Sequence, residues 1–152
     1  MALPSIWDAA TTLSLHSRLE ALTPSTPALW GTMNVAQMLA HCCFPYEQIF
    51  GDREIRPPFV VRLLMRLFVK NMLTNETPYR RNSPTAPQAR IADARDFERE
   101  RERLKAYITR VEQMGAAAFE QKEQVSLGRL TTSQWNNLLY KHLDHHLRQF
   151  GV

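Results

Sequence analysis

The chain has little of what builds a sheet protein, a disulfide-stapled protein or a membrane span. Only five of its 152 residues are glycine, and its β-branched residues do not gather into alternating runs, so a sandwich or barrel is disfavoured. It has two cysteines, and they are adjacent, Cys42-Cys43. Neighbouring side chains on a helix leave it about 100° apart, so these two are not expected to bridge each other. Without spaced cysteine pairs there is no disulfide framework and no structural zinc knuckle. Buried filler in a reduced, cytoplasmic setting is the expected role of both thiols. The most apolar stretch, Pro58 to Leu73, is too short and too interrupted by Arg62, Arg66 and Lys70 to cross a bilayer, so no membrane partner is expected. The opening, Met1 to Asp8, lacks the basic segment and apolar run of a secretion signal. The net charge is a modest +4, and no helix-turn-helix, zinc-finger or ribonucleoprotein signature accompanies it. No nucleic-acid partner is therefore expected. Gly-x-Ser-x-Gly and His-Glu-x-x-His are both absent, which removes the commonest serine-nucleophile and zinc-hydrolase patterns.

What the chain does have is helical periodicity. Its length suits one domain spanning 1–152, large enough to bury a core without staples. Five helical stretches are predicted. The first runs from Pro4 to Leu22 and ends at the Thr23-to-Pro27 turn. The second is capped by Asn34 and runs to Phe50, with Pro45 expected to kink or split it just past His41. The third covers Pro58 to Leu73, with Arg62, Arg66 and Lys70 forming one charged strip. A long loop over 74–90, carrying Pro78, Pro84 and Pro87, separates it from a fourth helix over Ala92 to Ala118. The fifth starts at a Thr131/Gln134 capping box and stops at Gly151. The third helix is too apolar to see solvent over half its circumference. Phe59, Leu63 and Leu67 are expected to meet either the loop or a second subunit, most simply in a twofold homodimer.

The chemistry-bearing feature is the ending, Tyr140-Lys141-His142-Leu143-Asp144-His145-His146-Leu147-Arg148-Gln149-Phe150. His142 and His146 are four apart and leave one helix face together, on a stripe with Trp135, Leu138, Leu139 and Phe150. Two buried imidazoles would need two separate polar partners, each unmet group costing ~1–3 kcal/mol, whereas one divalent ion satisfies both. His145, three from His142, is the alternative second ligand. His41 lies in the apolar segment Val35 to His41 of the second helix, and the two helices could bring three imidazoles to one point. His16 sits at the boundary of the first helix, and Asp144 is expected to face outward.

The segment Trp30-Gly31-Thr32-Met33-Asn34-Val35-Ala36-Gln37-Met38-Leu39-Ala40-His41 resembles the second-helix motif of the DinB/YfiT-like superfamily. The ending Tyr140 to Val152 resembles the C-terminal motif of a bacterial branch of that superfamily with unknown function. The superfamily's usual ending is His, three residues, His, then Arg-Gly-Gln. Leu147-Arg148-Gln149-Phe150 departs from it by a shifted arginine and a missing glycine. The resemblance covers both ends of the chain and the helix order between them, and carries nothing over to about 52–90. It implies an all-α, DinB-type four-helix bundle, here with an extra apolar helix and long loop, often dimeric, with a three-histidine divalent-metal centre at His41, His142 and His146. Relatives of that kind include an isomerase and metal-dependent thiol S-transferases that use low-molecular-weight thiols.

Two functions follow as expectations. In the first, the ion activates a thiol for transfer to an electrophilic small molecule, with Arg148, or Arg80 and Arg81 on the loop, holding an anionic group. In the second, the ion only staples helices of a non-enzymatic or stress-linked binding protein. Zinc and nickel suit such imidazole ligands best, while iron, manganese and copper are alternatives.

Overall fold

Local chemistry starts and stops the main helices. A computed structural model describes residues 2–53 and 55–152; Met1, part of the opening segment read for export, and Glu54 lie outside the described residues. The Asn34 side chain accepts from Gln37 N–H while Gln37 returns a bond to Asn34 N–H, a capping box that opens α2, Val35–Phe50. Thr131 and Gln134 do the same for α6, Thr132–Gln149. Asp96 caps α5, Phe97–Met114, by accepting from Arg99 N–H. Gly115, at φ +72°, ends that helix. The fourth predicted helix is therefore shorter at both ends than the expected Ala92 to Ala118.

The first helix is also shorter than its periodicity suggests. α1 is Ala9–Glu20, not Pro4 to Leu22. The backbone of the preceding segment is engaged elsewhere. Asn136 of α6 accepts from Ile6 N–H at 2.7 Å and donates to the Pro4 carbonyl at 3.1 Å. A side chain 130 residues away thus competes successfully with helical bonds. Pro45 does not split α2, which runs unbroken on both sides of it.

The apolar third stretch is helical throughout but not regular. α3, Phe59–Leu64, passes through a π-helical turn, Met65–Val69, into α4, Lys70–Thr74. A short antiparallel hairpin, β1 (Glu123–Gln124) and β2 (Gly128–Arg129), precedes α6 and was not foreseen. Two-residue strands carry too few alternating positions to be read from a sequence. Among the described residues the protein is otherwise helical or irregular, and no helix is long and apolar enough to cross a membrane.

The core lies where α2, α5, α1 and α6 meet. Leu15 and Leu19 of α1, Met38, Leu39 and Tyr46 of α2, Leu104 and Ile108 of α5, and Leu143 and Leu147 of α6 are buried, each worth roughly 1.5–3 kcal/mol. Cys42 and Cys43 are free, buried thiols, as expected of filler. Burial pushes the Cys43 thiol up to about 12. His16 is half-buried against the Lys105 carbonyl, a boundary residue as predicted.

One ionic cluster ties α2 to α5. The Arg103 guanidinium reaches buried Glu47 at 2.6 Å and buried Glu100 at 2.7 Å. Both carboxylates depend on that one cation for their strongest contact. Arg103→Ala is expected to lower stability by ~2–4 kcal/mol, because it leaves two buried carboxylates facing each other's helices. A urea denaturation midpoint that hardly moves would show that solvent already screens the cluster.

Candidate metal centre

Three imidazoles converge where α2 meets α6. His41 projects from the middle of α2, with His142 and His146 one turn apart on α6. Their ring centroids are separated by 4.9, 4.7 and 4.8 Å, and their nitrogen atoms lie close enough for the three to hold one metal ion. His146 is thus the second α6 member of the group. His145 stands aside, half-buried, with its ring edge-on to Trp30 and Tyr79.

The outward-facing nitrogens decide the chemistry of the inward-facing ones. His41 Nδ1 lies 2.8 Å from the Ala89 carbonyl, which can only accept, so Nδ1 carries the proton and Nε2 presents a lone pair. His146 Nδ1 lies 2.7 Å from Gln149 Oε1. The Gln149 amide cannot be turned round, because its Nε2 donates to the Trp30 carbonyl at 2.7 Å. His146 therefore also donates through Nδ1 and turns a bare Nε2 inward. His142 Nε2 lies 2.9 Å from His41 Nε2. With no ion between them, His142 must supply the proton of that contact, which leaves its buried Nδ1 without a partner. An ion with bonds of 2.0–2.1 Å in tetrahedral geometry would set nitrogens about 3.3 Å apart, slightly wider than the His41–His142 contact. The close approach of these two Nε2 atoms fits donors able to share one cation.

Burial keeps all three rings neutral, the form that ligates metal. Desolvation lowers His41, opposed by its bond to Ala89. Desolvation, then the neighbouring His146, His41 and His145, holds His142 well below its usual range. Desolvation, and then His41, pulls His146 down to about 3.

Loop segments complete the site. The 75–96 segment is pinned down rather than free. Lys141 Nζ donates to the carbonyls of Met72 and Asn75 at 2.8 and 2.7 Å, and Arg53 donates to the Gln88 carbonyl at 3.1 Å. That course brings Ala89, at the end of the 3-10 turn Pro87–Ala89, onto His41. On the other side Leu29 N–H donates to the Gln149 carbonyl. Gly31, at φ +83°, leaves room for Gln149, since a Cβ there would stand 2.6 Å from Gln149 Nε2.

A cavity of about 560 Å³ opens beside the cluster, lined by His145, His146, Gln149, Trp30, Gln37 and Arg90 among others. Among the described residues, Arg90 is the one arginine or lysine that lines it, and no carboxylate does. Arg81 stacks over Trp30 at 4.3 Å. The expected anion-holding residue, Arg148, is not there. It is 69 % exposed and bound to Asp144 at 2.8 Å. Two positions beyond His146, a helix has turned about 200°. Asp144 is not free in solvent either, because Arg18 of α1 also holds it, at 2.9 Å. Sequence reasoning missed Gln149, Ala89 and Arg90. Only Gln149 left a signal, as the residue three beyond His146 and so on the same side of the helix.

A family model described as "Protein of unknown function (DUF1569)" matches residues 9–151. No curated protein and no solved structure matches the chain.

Two outcomes are expected at this site. Gln149→Leu frees the His146 ring and should weaken metal binding ~10–100-fold in a chelator competition, with folding retained. Unchanged affinity would mean that Gln149 does not orient the ligand. For the metal-free protein, the unfolded chain takes up protons near the ordinary histidine value of 6.5, while His146 resists them to about 3. The unfolded state then binds more protons, so stability is complete above pH 6.5 and falls as pH drops toward 3. Urea midpoints between pH 7.5 and 4.5 should decline accordingly. A flat profile would mean the rings are not buried as neutral groups.

Proposed function

We propose that this chain, which belongs to the DUF1569 family, is a divalent-metal protein that works on a small molecule bound in the cavity beside His146. The observation that carries this reading is the convergence of His41, His142 and His146 with outer nitrogens already committed to Ala89 and Gln149. Three imidazoles leave a coordination position open, which is the pattern of reactive rather than closed structural sites. A bound divalent ion would supply Lewis acidity, lowering the pKa of a thiol or water in that position.

The chain's own residues would do the rest. Arg90 would hold an anionic group of the ligand, and Trp30 would form an apolar wall. Gln149 and Ala89 would keep two of the three ligands aimed while substrate enters and leaves. We read the activity as thiol S-transfer in a DinB-type bundle. A low-molecular-weight thiol would lose its proton to solvent, and its sulfur would form a bond to an electrophilic carbon as that carbon's leaving group departs with the bonding electron pair. Two reduced, buried cysteines suit a cytoplasmic protein of this kind. Zinc or nickel is the favoured ion, with iron, manganese or copper following from the same donors. The second reading, a metal-stapled or stress-linked binding protein without catalysis, is favoured only by the burial of the three rings.

The test joins elemental analysis of protein purified without a metal-affinity tag to a screen of thiols against electrophiles. His142→Ala should abolish tight metal binding while leaving the fold intact. Arg90→Ala should keep the metal and weaken use of an anionic thiol or substrate by ~1.5–3 kcal/mol, while Arg148→Ala should change neither. Full metal occupancy with no thiol-dependent turnover would favour the binding-protein reading. Full occupancy after His142→Ala would remove the metal site as assigned.

A further inference from the structure

The 59–74 helix is turned inside out relative to an ordinary surface helix. Its four i,i+4 rows differ in chemistry and in exposure. Arg62, Arg66, Lys70 and Thr74 form one row, in which Arg66 is exposed, Arg62 and Lys70 are half-buried and Thr74 is buried. Arg66 approaches Glu123 at 3.8 Å, Lys70 donates to the Arg129 carbonyl at 2.8 Å, and Thr74 is buried. In the neighbouring row, Met65 and Leu73 pack against the core, while Val61 at its start is exposed. The other two rows face away, and they are apolar apart from Asn71: Phe59, Leu63 and Leu67 in one, Val60, Leu64, Phe68 and Met72 in the next. Phe59 is 68 % exposed, Leu67 66 % and Phe68 74 %.

Two outward apolar rows are an arrangement that water alone does not favour. With side chains of roughly 150–200 Å² each, the outward rows expose on the order of 800 Å² of apolar surface. Monomers seldom leave more than roughly 300–600 Å² in one patch, and about 800 Å² is one partner's share of a standard stable interface. We propose that these two rows are the surface through which two copies of this chain pair about a twofold axis. A second copy fits for three reasons. An isologous contact needs one self-complementary patch, and an apolar helix face without charges is its own complement. The helix's cations lie on a different row from the apolar ones and are engaged within the chain, Arg66 with Glu123 and Lys70 with the Arg129 carbonyl. A lipid surface is the poorer occupant for the same reason, because an interfacial helix keeps its lysines and arginines available to anionic headgroups.

The experiment measures mass in solution by light scattering at about 10 µM, for the full chain and for Leu67→Glu and Phe68→Lys, with helical circular dichroism as the check on folding. Both positions are exposed, so neither change disturbs the core. The parent should run at twice the chain mass of 17.6 kDa, and each variant at once that mass with unchanged helicity. A monomeric parent overturns the proposal. So does a dimer that both folded variants preserve, since the contact would then lie elsewhere. Sedimentation with phosphatidylcholine–phosphatidylglycerol vesicles supplies the competing outcome: a monomeric parent that binds vesicles through this face makes it a lipid-facing helix instead.

Discussion

Everything at the centre of this protein depends on where two protons are kept. A neutral imidazole has one N–H and one lone pair, and it ligates a metal only if the N–H points elsewhere. His41 donates its Nδ1–H to the Ala89 carbonyl, and His146 donates its Nδ1–H to Gln149 Oε1. Each of those acceptors is fixed in turn. Ala89 is placed by a loop that Lys141 and Arg53 bind down, and Gln149 is oriented by the Trp30 carbonyl. Gly31 is needed because nothing larger fits beside Gln149. The irregular segments thus serve the lone pairs, and the helices serve the irregular segments.

The helical frame explains why such a costly arrangement survives. Desolvation alone disfavours a charged His142 or His146, so a loosely packed site would admit water, protonate the rings and lose the ligand set. α2 does not yield in this way. It is held to α5 by Arg103 between Glu47 and Glu100 and by the buried Met38, Leu39 and Tyr46. His41 is therefore presented from the most strongly anchored helix, while α6 brings the other two from a stripe containing Leu139, Leu143 and Leu147.

The helices and the candidate ligands were legible in the sequence because both follow local rules. Asn34 with Gln37 and Thr131 with Gln134 are capping chemistry within three residues, and the His142–His146 pair is a single helical turn. What escaped prediction needed contacts between distant parts of the chain. Asn136 takes the backbone of Pro4 and Ile6 away from α1, and no pattern in the first ten residues announces that. Ala89 has no chemistry of its own to notice; its carbonyl matters only because three prolines and two distant cations route the loop past His41. Arg148, close to His146 in sequence, is carried to the exposed side by rotation about the helix, whereas Arg90 reaches the cavity from a loop with no periodicity to read.

The distribution of ligands bears on what an ion would be for. A structural metal adds most when it joins elements that would otherwise separate. Here the three imidazoles come from only two helices, and α2 and α6 already belong to one continuous apolar core. That core, with the α2–α5 ionic cluster, gives a chain of 152 residues enough burial to fold without a staple. An ion at this point would contribute little new connectivity. Of the three candidate ligands, His146 also lines the cavity that Arg90 reaches, so the group stands beside a space able to take a small molecule, a feature a staple does not need.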